Sequence, residues 1–593
     1  MNTLSQKKHG HYMVGLDSLR GIAILGVVLY HINFKWMPGG FLGVTVFFVL
    51  SGYLITDILA MEWQNTGRIN LKRFWLRRAR RLLPGMFFML SIIISWITIF
   101  HFSLLEQVRG DFLAAILYFS NWWYIYHKLS YFESFNTIHP LNHFWSLAVE
   151  EQFYLIWPFI VALGFYYIKK RSRLALFIFL AAVISAILMA IKYVPGIDPS
   201  RIYYGTDTRL FSLLIGSVLA LLWPSNRLSK KIIPLARFIL DVTGGIGLIV
   251  ILVMFWKTNQ YDPFLYRGGM FFLSITTALL VANLAHPASR ISVILRFKPL
   301  RWIGVRSYGI YLWHYPIITL SHSQVNIEQF QYSKALFQVC MILIMAQLSW
   351  KYIENPIRQG ALQNVQLSSL RLRSITFKYK VILICTLSLA LTDGFGLLAV
   401  NANHPKEQLK KQTISTKGDK LHQNNNKKEA ISTPAKEDFT ISAIGDSIMI
   451  DISPFLEEIF PEIKIDAKVG RQMSQAFDIA KKMDENGTLG NHIIIGLGTN
   501  GAFTTEQIEK LIHLIGNERK IILVNTRVSR PWESLVNERI KDVASKYTNI
   551  TLIDWYTASA GQQSYFEPDG IHLNEEGAKA YALLLKKNII DAQ

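Results

Sequence analysis

Phe439-Thr440-Ile441-Ser442-Ala443-Ile444-Gly445-Asp446-Ser447 decides how the second part of this chain is read. An apolar run of strand length ends at a glycine, and a serine follows almost at once. Further short apolar runs come after it: Ile463–Val469, His492–Leu497, Lys520–Asn525 and Ile550–Ile553. Helix-like stretches such as Thr505–Gly516 and Trp532–Lys546 lie between them. Strands alternating with helices predict a parallel sheet covered on both faces, an α/β domain. Ser447 then falls at the carboxyl edge, where open α/β sheets hold their sites.

A serine needs a base before it can attack. From Asp438 onward the histidines are His492, His513 and His572. His572 lies in Asp569-Gly570-Ile571-His572, and Asp569 is close enough to hold its imidazole in the right tautomer. Donors for an oxyanion hole are the Ser447 backbone N–H, the Gly470 N–H and the Asn500 side-chain amide. Gly-Asp-Ser is also a common turn, and Asp-Gly before a histidine is often a plain loop. The order of the motifs at the strand ends of one domain favours catalysis. The set resembles the SGNH (GDSL-like) hydrolase family over roughly Phe439 to the end. The resemblance implies Ser447, Gly470, Asn500 and His572 as its four blocks, with Asp569 as third triad member. In one place the chain departs from the family: Gly501 follows Asn500 where the family often has aspartate.

Upstream the composition is different. The 593 residues are 51% hydrophobic and 17% charged, too long for one core. Before Val400 the apolar residues form runs of about 16–24, each enough for ~30 Å of hydrocarbon. These predict a multi-span α-helical membrane domain of about eleven spans. The first are Leu16–Asn33, Phe41–Met61, Leu82–Phe102, Phe144–Tyr167, Leu174–Ile191 and Leu210–Trp223. Phe238–Trp256, Gly268–Leu284, Ile303–Leu320, Ala335–Trp350 and Val381–Val400 follow. Asp111–Tyr126 is amphipathic and is read as external or re-entrant. A net charge of +21 would suit nucleic acid, but the basic residues gather in every second short loop. That is the positive-inside pattern. It makes the lipid bilayer a partner, leaves no nucleic-acid role, and predicts a multi-pass cell-membrane protein with N-terminus cytoplasmic and C-terminal domain outside. Lys7 and Lys8 precede the first run and no small-residue cleavage site follows, so it reads as a retained span. Cys340 and Cys385 both lie inside spans, which leaves no disulfide framework or metal site in the outer domain. The expected divisions are 1–360, a loop and last span at 361–403, a flexible polar linker at 404–437, and 438–593.

Arg20 and His31 stand about 1100° apart on the first helix, ~20° from a whole number of turns, so both face one side. Charged groups inside hydrocarbon usually line a cavity. In the segment His143 to Tyr154, Glu150 and Glu151 reach about the depth of His31, and only one should point at a given pocket, because neighbouring residues diverge by about 100°. His314 is another histidine within a span. Asp207 and Arg209 enter the sixth span, either as a structural ion pair or as site residues. Arg77, Arg78, Arg80 and Arg81 read either as a topology signal contacting lipid phosphate or as a clamp for a phosphorylated ligand.

The Arg20/His31 spacing, Gly43 to Tyr53, the Arg-rich segment, Trp145-Ser146-Leu147-Ala148-Val149-Glu150, Ser307 to His314 and Glu354-Asn355-Pro356 resemble the integral-membrane acyltransferase-3 family. The likeness covers about Tyr12 to Arg358. The two-part layout is similar to the fused acyltransferase-3/SGNH peptidoglycan O-acetyltransferases of Gram-positive bacteria, the OatA type. That resemblance implies acetyl-CoA as donor, bound near Arg20 and the Arg77–Arg81 cluster. It implies peptidoglycan, at the muramoyl C6 hydroxyl, as acceptor and a serine acyl-enzyme on Ser447. His31 is expected to act as base or transient acyl carrier, with Glu150 or Glu151 as partner. The alternatives are another surface glycan such as teichoic acid or capsule, a transporter fused to an esterase, and a purely structural anchor.

Overall fold

The structure is a computed structural model that describes residues 13–32, 36–102, 104–127, 129–132, 139–194, 198–260, 262–321, 332–359, 439–501, 503–528, 532–567 and 570–590. The last expected span, Val381–Val400, the linker 404–437 and Asp569 lie outside them. The chain divides into two compact units.

The first unit is helical. Its elements are α1 Val14–His31, α2 Gly43–Thr66, α3 Leu71–Phe100, α4 Leu104–Ile116, α5 Ser120–Tyr126, α6 Phe144–Tyr167, α7 Arg171–Lys192 and α8 Ser200–Tyr204. They continue as α9 Thr206–Leu222, α10 Pro234–Lys257, α11 Met270–Ala285, α12 Ile291–Ile294, α13 Lys298–Val305, α14 Ser307–Leu320, α15 Tyr332–Ser349 and α16 Asn355–Arg358. Among the described residues, nine helices are long and apolar enough to cross a membrane.

Two departures from the expected spans have local causes. α3 begins at Leu71, not Leu82, because Gly67 ends α2 in the left-handed region (φ +67°) and the Asn70 side chain caps the Arg73 N–H. The arginines from Arg73 to Arg81 therefore sit on a helix and not in a loop. The expected span Ile303–Leu320 is broken between α13 and α14 at Arg306. The Arg306 guanidinium lies 4.2 Å over Trp302 and 4.3 Å over Trp350, which fastens the break. Asp111–Tyr126 falls within α4 and α5, turned at Tyr118 (φ +52°) and each too short to span.

α2, α9, α11 and α1 form the interior of this unit, while only about a third or less of α7 and α10 is buried. On α7, Leu176, Leu180, Ile184, Ile187 and Ile191 are exposed, a stripe suited to lipid tails. α2 and α9 approach at Gly52 and Gly216. A Cβ on Gly52 would fall on the Leu213 backbone, and one on Gly216 on the Val49 carbonyl. Small residues let helices come this close, and in lipid that packing supplies much of the association energy.

The second unit is a five-stranded, all-parallel sheet in the order β2-β1-β3-β4-β5. The strands are β1 Ile441–Gly445, β2 Lys464–Ala467, β3 His492–Gly496, β4 Lys520–Val524 and β5 Ile550–Ile553. They agree with the expected strands to within two residues. Met449, Ile452, Leu456 and, from the last helix (Glu575–Ile590), Ala578, Ala582, Leu585 and Ile589 pack on the apolar sheet residues. The unit thus has its own core.

Gly52→Ala should lower the melting temperature of the detergent-solubilised protein, at a cost of about 1–3 kcal/mol for overpacking. An unchanged melt would show that α2 and α9 are not held at glycine distance.

Candidate active sites

The α/β unit brings its chemistry to one edge. Gly445 and Gly496, the last residues of β1 and β3, are paired in register. Ser447 opens the helix Ser447–Ile459 just after the first, and Asn500 lies in the loop after the second. The chain order reverses at β1, so this helix starts at the crevice of the sheet. Asp446 is its N-cap, accepting the Ile448 N–H at 3.1 Å. Ser447 is buried. Among the described residues no hydrogen bond joins its hydroxyl to His572, a contact of a kind that often tightens only with substrate.

His572 lies on a tight turn. Its carbonyl accepts the Glu567 N–H at 2.7 Å, and the Glu567 carbonyl accepts the Gly570 N–H at 2.8 Å. The next residue, Leu573, donates its N–H to Asp451 Oδ2 at 3.1 Å. Asp451 is one helical turn beyond Ser447, on the same face, so it ties the turn that carries His572 to the helix that Ser447 opens. Sequence reasoning missed Asp451, although its spacing of one turn from Ser447 was the signal. Asp569 is outside the described residues.

The loop carrying Asn500 is bracketed by Gly498 (φ +134°) and Gly501 (φ +150°), a region that L side chains rarely adopt. This gives a conformational reason for a glycine at position 501. Gly470 (φ +75°) is exposed on the turn after β2. Its neighbour Arg471, also missed, is buried and donates to the Gly445 carbonyl at 3.2 Å and to Asp466.

Asp446 is the most consequential residue that the sequence reading passed over. Burial pushes its carboxyl up to about 6, against the Ile448 N–H and the side chains of Thr499 and Asn500, which favour the ionised form. It therefore sits between the helix that Ser447 opens and the loop of Thr499 and Asn500.

In the membrane unit the expected residues fall into two groups. Asp17 Oδ1 accepts from Arg20 at 3.0 Å. Both line a cavity of 370 Å³ with Arg78, Arg81, Glu150 and Glu151. Both glutamates line it, contrary to the expectation that only one could, because the cavity is broad enough to wrap more than one face of α6. Glu150 accepts from the hydroxyls of Ser51 and Tyr154. Arg78 lies 5.6 Å over the Tyr154 ring. Arg77 pairs instead with Glu62 at 3.7 Å, and neither Arg77 nor Arg80 lines the cavity. Arg78 and Arg81 share one helical face, and Arg77 and Arg80 share the next.

His31 is not with the glutamates. Its Nδ1 meets the Val27 carbonyl at 2.8 Å and its Nε2 the Tyr131 hydroxyl at 2.9 Å. Its ring is 4.9 Å from His314, which is 5.3 Å from His143. His314 Nδ1 is 2.6 Å from the Tyr311 carbonyl. His143 and His314 are buried, and both His143 nitrogens and His314 Nε2 have no hydrogen-bond partner among the described residues. Tyr311 and Ser146 share a 2.5 Å hydrogen bond and line the cavity. The Tyr311 ring is 5.1 Å from His314. The cavity thus ends against the imidazole cluster. Arg20 and His31 belong to its two sides and do not meet in one pocket. His143 was within reach of the sequence, as the residue that opens α6.

Asp207 and Arg209 do not pair with each other. Asp207 binds Lys192 at 2.6 Å and Arg201 at 3.1 Å. Arg209 is fully buried, donates to Thr45 at 2.9 Å and lies 5.0 Å over Tyr203. Two residues on a helix diverge by about 200°, which sends them to opposite sides. Among the described residues no cluster of three or more His, Cys, Asp or Glu could hold a metal ion.

Asp446→Asn should change how the stability of the C-terminal unit depends on pH. The raised carboxyl favours the folded state below about pH 4, and that contribution is lost as pH rises through about 6. The asparagine variant lacks this loss. Its melting temperature relative to the unaltered unit should therefore rise between pH 4 and 7, by an amount equivalent to about 2–3 kcal/mol. A flat difference across that window would show that Asp446 is not held protonated.

Residues 13–351 match the acyltransferase domain of the acyltransferase-3 family. The chain is 41% identical to the peptidoglycan O-acetyltransferase OatA of Listeria monocytogenes, over 97% of both chains. It is 37% identical to the O-acetyltransferase OatA of Staphylococcus aureus, over 98% of this chain and 96% of the relative. The solved C-terminal catalytic domain of Streptococcus pneumoniae peptidoglycan O-acetyltransferase A is matched over 26% of this chain and 94% of that one, with 20% identity and a TM-score of 0.24. With a family match over more than half its length and relatives aligned end to end, the chain belongs to the acyltransferase-3 family, as a membrane O-acetyltransferase of the OatA type.

Proposed function

We propose that the chain moves an acetyl group from cytoplasmic acetyl-CoA to peptidoglycan outside the cell, at the muramoyl C6 hydroxyl, through an acyl-enzyme on Ser447. The basic loops support a cytoplasmic N-terminus and an external C-terminal domain. The printed names of the end-to-end relatives support the acceptor. The observation that carries the reading is the cavity with guanidiniums at Arg20, Arg78 and Arg81 that stops at Ser146 and Tyr311, against three imidazoles.

In this reading donor phosphates meet the arginines and the thioester points at the imidazoles. His31 is base or transient acyl carrier, with His314 and His143 as neighbours in place of the glutamates. The coenzyme A thiol leaves with a proton, and the acetyl group passes outward as an ester or thioester of a carrier, whose alcohol or thiol is the leaving group in the next step. Ser447 Oγ attacks its carbonyl carbon and gives its proton to His572, oriented by Asp569. The Asn500 amide, with the Ser447 and Gly470 N–H groups, steadies the oxyanion. His572 returns the proton to the leaving group. A sugar hydroxyl then attacks the acyl-serine, its proton passes to His572, and Ser447 leaves as the free alcohol. The polar linker 404–437 gives the outer domain reach to membrane and wall.

Ser447→Ala should lower wall O-acetylation by about three orders of magnitude or more, and His31→Ala should abolish it at normal protein level. Mass spectrometry of isolated wall glycan checks both. The domain from Asp438 onward, given an activated acetyl ester and de-acetylated glycan, should yield acetylated sugar. Free acetate alone would make it an esterase, and intact wall acetylation in His31→Ala would point to a transporter with an appended hydrolase.

A further inference from the structure

The break in the ninth expected span creates a second cavity. Gly304 and Val305, at the end of α13, and Ser307 and Tyr308, at the start of α14, form one wall of a 350 Å³ chamber. Trp350, Glu354, Asn355 and Arg358 form the facing wall. Asp17, Arg20, Arg81, Ser307 and Tyr308 line both this chamber and the first. The two therefore abut, with Arg20 and Arg81 at the junction.

Their linings differ. The first chamber runs inward past Val44, Phe47, Phe48, Leu54 and Ile55. The second is polar, and its charged groups are Arg20, Arg81, Arg358, Asp17 and Glu354. Asp17 is taken by Arg20 at 3.0 Å. Glu354 accepts the Ser349 hydroxyl at 2.8 Å and lies in the fields of Arg81 and Arg358. Among the described residues no carboxylate stands within ion-pair distance of Arg81 or Arg358. Two guanidinium forks in one polar chamber suit phosphate oxygens. Each chamber alone is near the lower limit for a ligand pocket, about 300 Å³. Together they fit one long ligand with an apolar arm and a phosphorylated head.

We propose that the second chamber binds the phosphorylated nucleotide end of the thioester donor, with Arg358 and Arg81 on its phosphates, while the acyl-bearing arm enters the first chamber. This rests on the donor reading above and assigns Arg358 and Asn355 a part in it.

The test uses the full chain in detergent or nanodiscs, with acetyl-CoA, acetyl-pantetheine and adenosine 3′,5′-bisphosphate as probes in a calorimetric binding assay. Arg358→Ala should weaken acetyl-CoA and the bisphosphate by about tenfold or more and leave acetyl-pantetheine unchanged. Arg358→Lys should recover part of the loss. Retained acetyl-pantetheine binding shows that the variant is folded. Equal weakening of both donors, or no weakening of acetyl-CoA, would overturn the assignment. If the unaltered protein binds acetyl-pantetheine but gains nothing from the nucleotide, the chamber assignment fails alone. If it binds neither donor, the donor reading fails with it.

Discussion

The membrane unit is organised around a charge that hydrocarbon cannot hold. Arg20 lies on a helix in the interior of the bundle, and a guanidinium there must be answered by protein or water. Asp17, one turn away, supplies the nearest answer at 3.0 Å. The pair then fixes which face of α1 looks into the bundle. α3 presents Arg78 and Arg81 to that face, and α6 presents Glu150 and Glu151. Helices carrying these groups cannot pack flush, because removing the last water from several charges costs more than apolar contact returns. A cavity is therefore a structural necessity at this level of the bundle. Where the charges end, at Ser146 and Tyr311, the cavity ends too.

The same physics operates on a smaller scale in the α/β unit. Asp446 is a buried carboxylate, and what keeps it there is hydrogen bonding. Its Oδ1 accepts the Ile448 N–H at 3.1 Å, and the carboxyl lies beside the side chains of Thr499 and Asn500. One group thus caps the helix that Ser447 opens and packs beside the loop of Thr499 and Asn500. Asp451 does the corresponding work for the histidine turn. The edge of a parallel sheet offers the place, and these two carboxylates give it a definite geometry.

The sheet was legible in the sequence because each strand is an apolar run bounded by turn residues, and that signal is local. The long spans were legible for the same reason. Arg306 was not, since a cation held between two tryptophans from distant segments leaves an apolar run looking continuous. The grouping of site residues was legible only in part. Helical spacing put Arg20 and His31 on one face, which is a statement about angle. It did not show that Ser146 and Tyr311 separate their surroundings, which depends on what α6 and α14 bring. The pairing of Asp207 with Lys192 and Arg201, and not Arg209, is likewise a matter of which helices lie on each side of α9.

Arg209 shows what the bundle does with a cation it does not pair. Rings of Phe48, Trp145 and Tyr203 lie 5.7, 5.9 and 5.0 Å from its guanidinium carbon. Cation–π attraction strengthens when water is excluded, so this arginine is held best by a closed aromatic layer. The Tyr203 ring is in turn 5.1 Å from Tyr131, whose hydroxyl meets His31 Nε2. The layer that surrounds the cation therefore also packs the partner of the histidine. Replacing Arg209 by an apolar residue would remove the charge that the rings close around. The consequence would reach His31 through the packed rings of Tyr203 and Tyr131, without any direct contact between residues 209 and 31. A residue that reads in sequence as half of an ion pair is, in this packing, a support for the imidazole cluster.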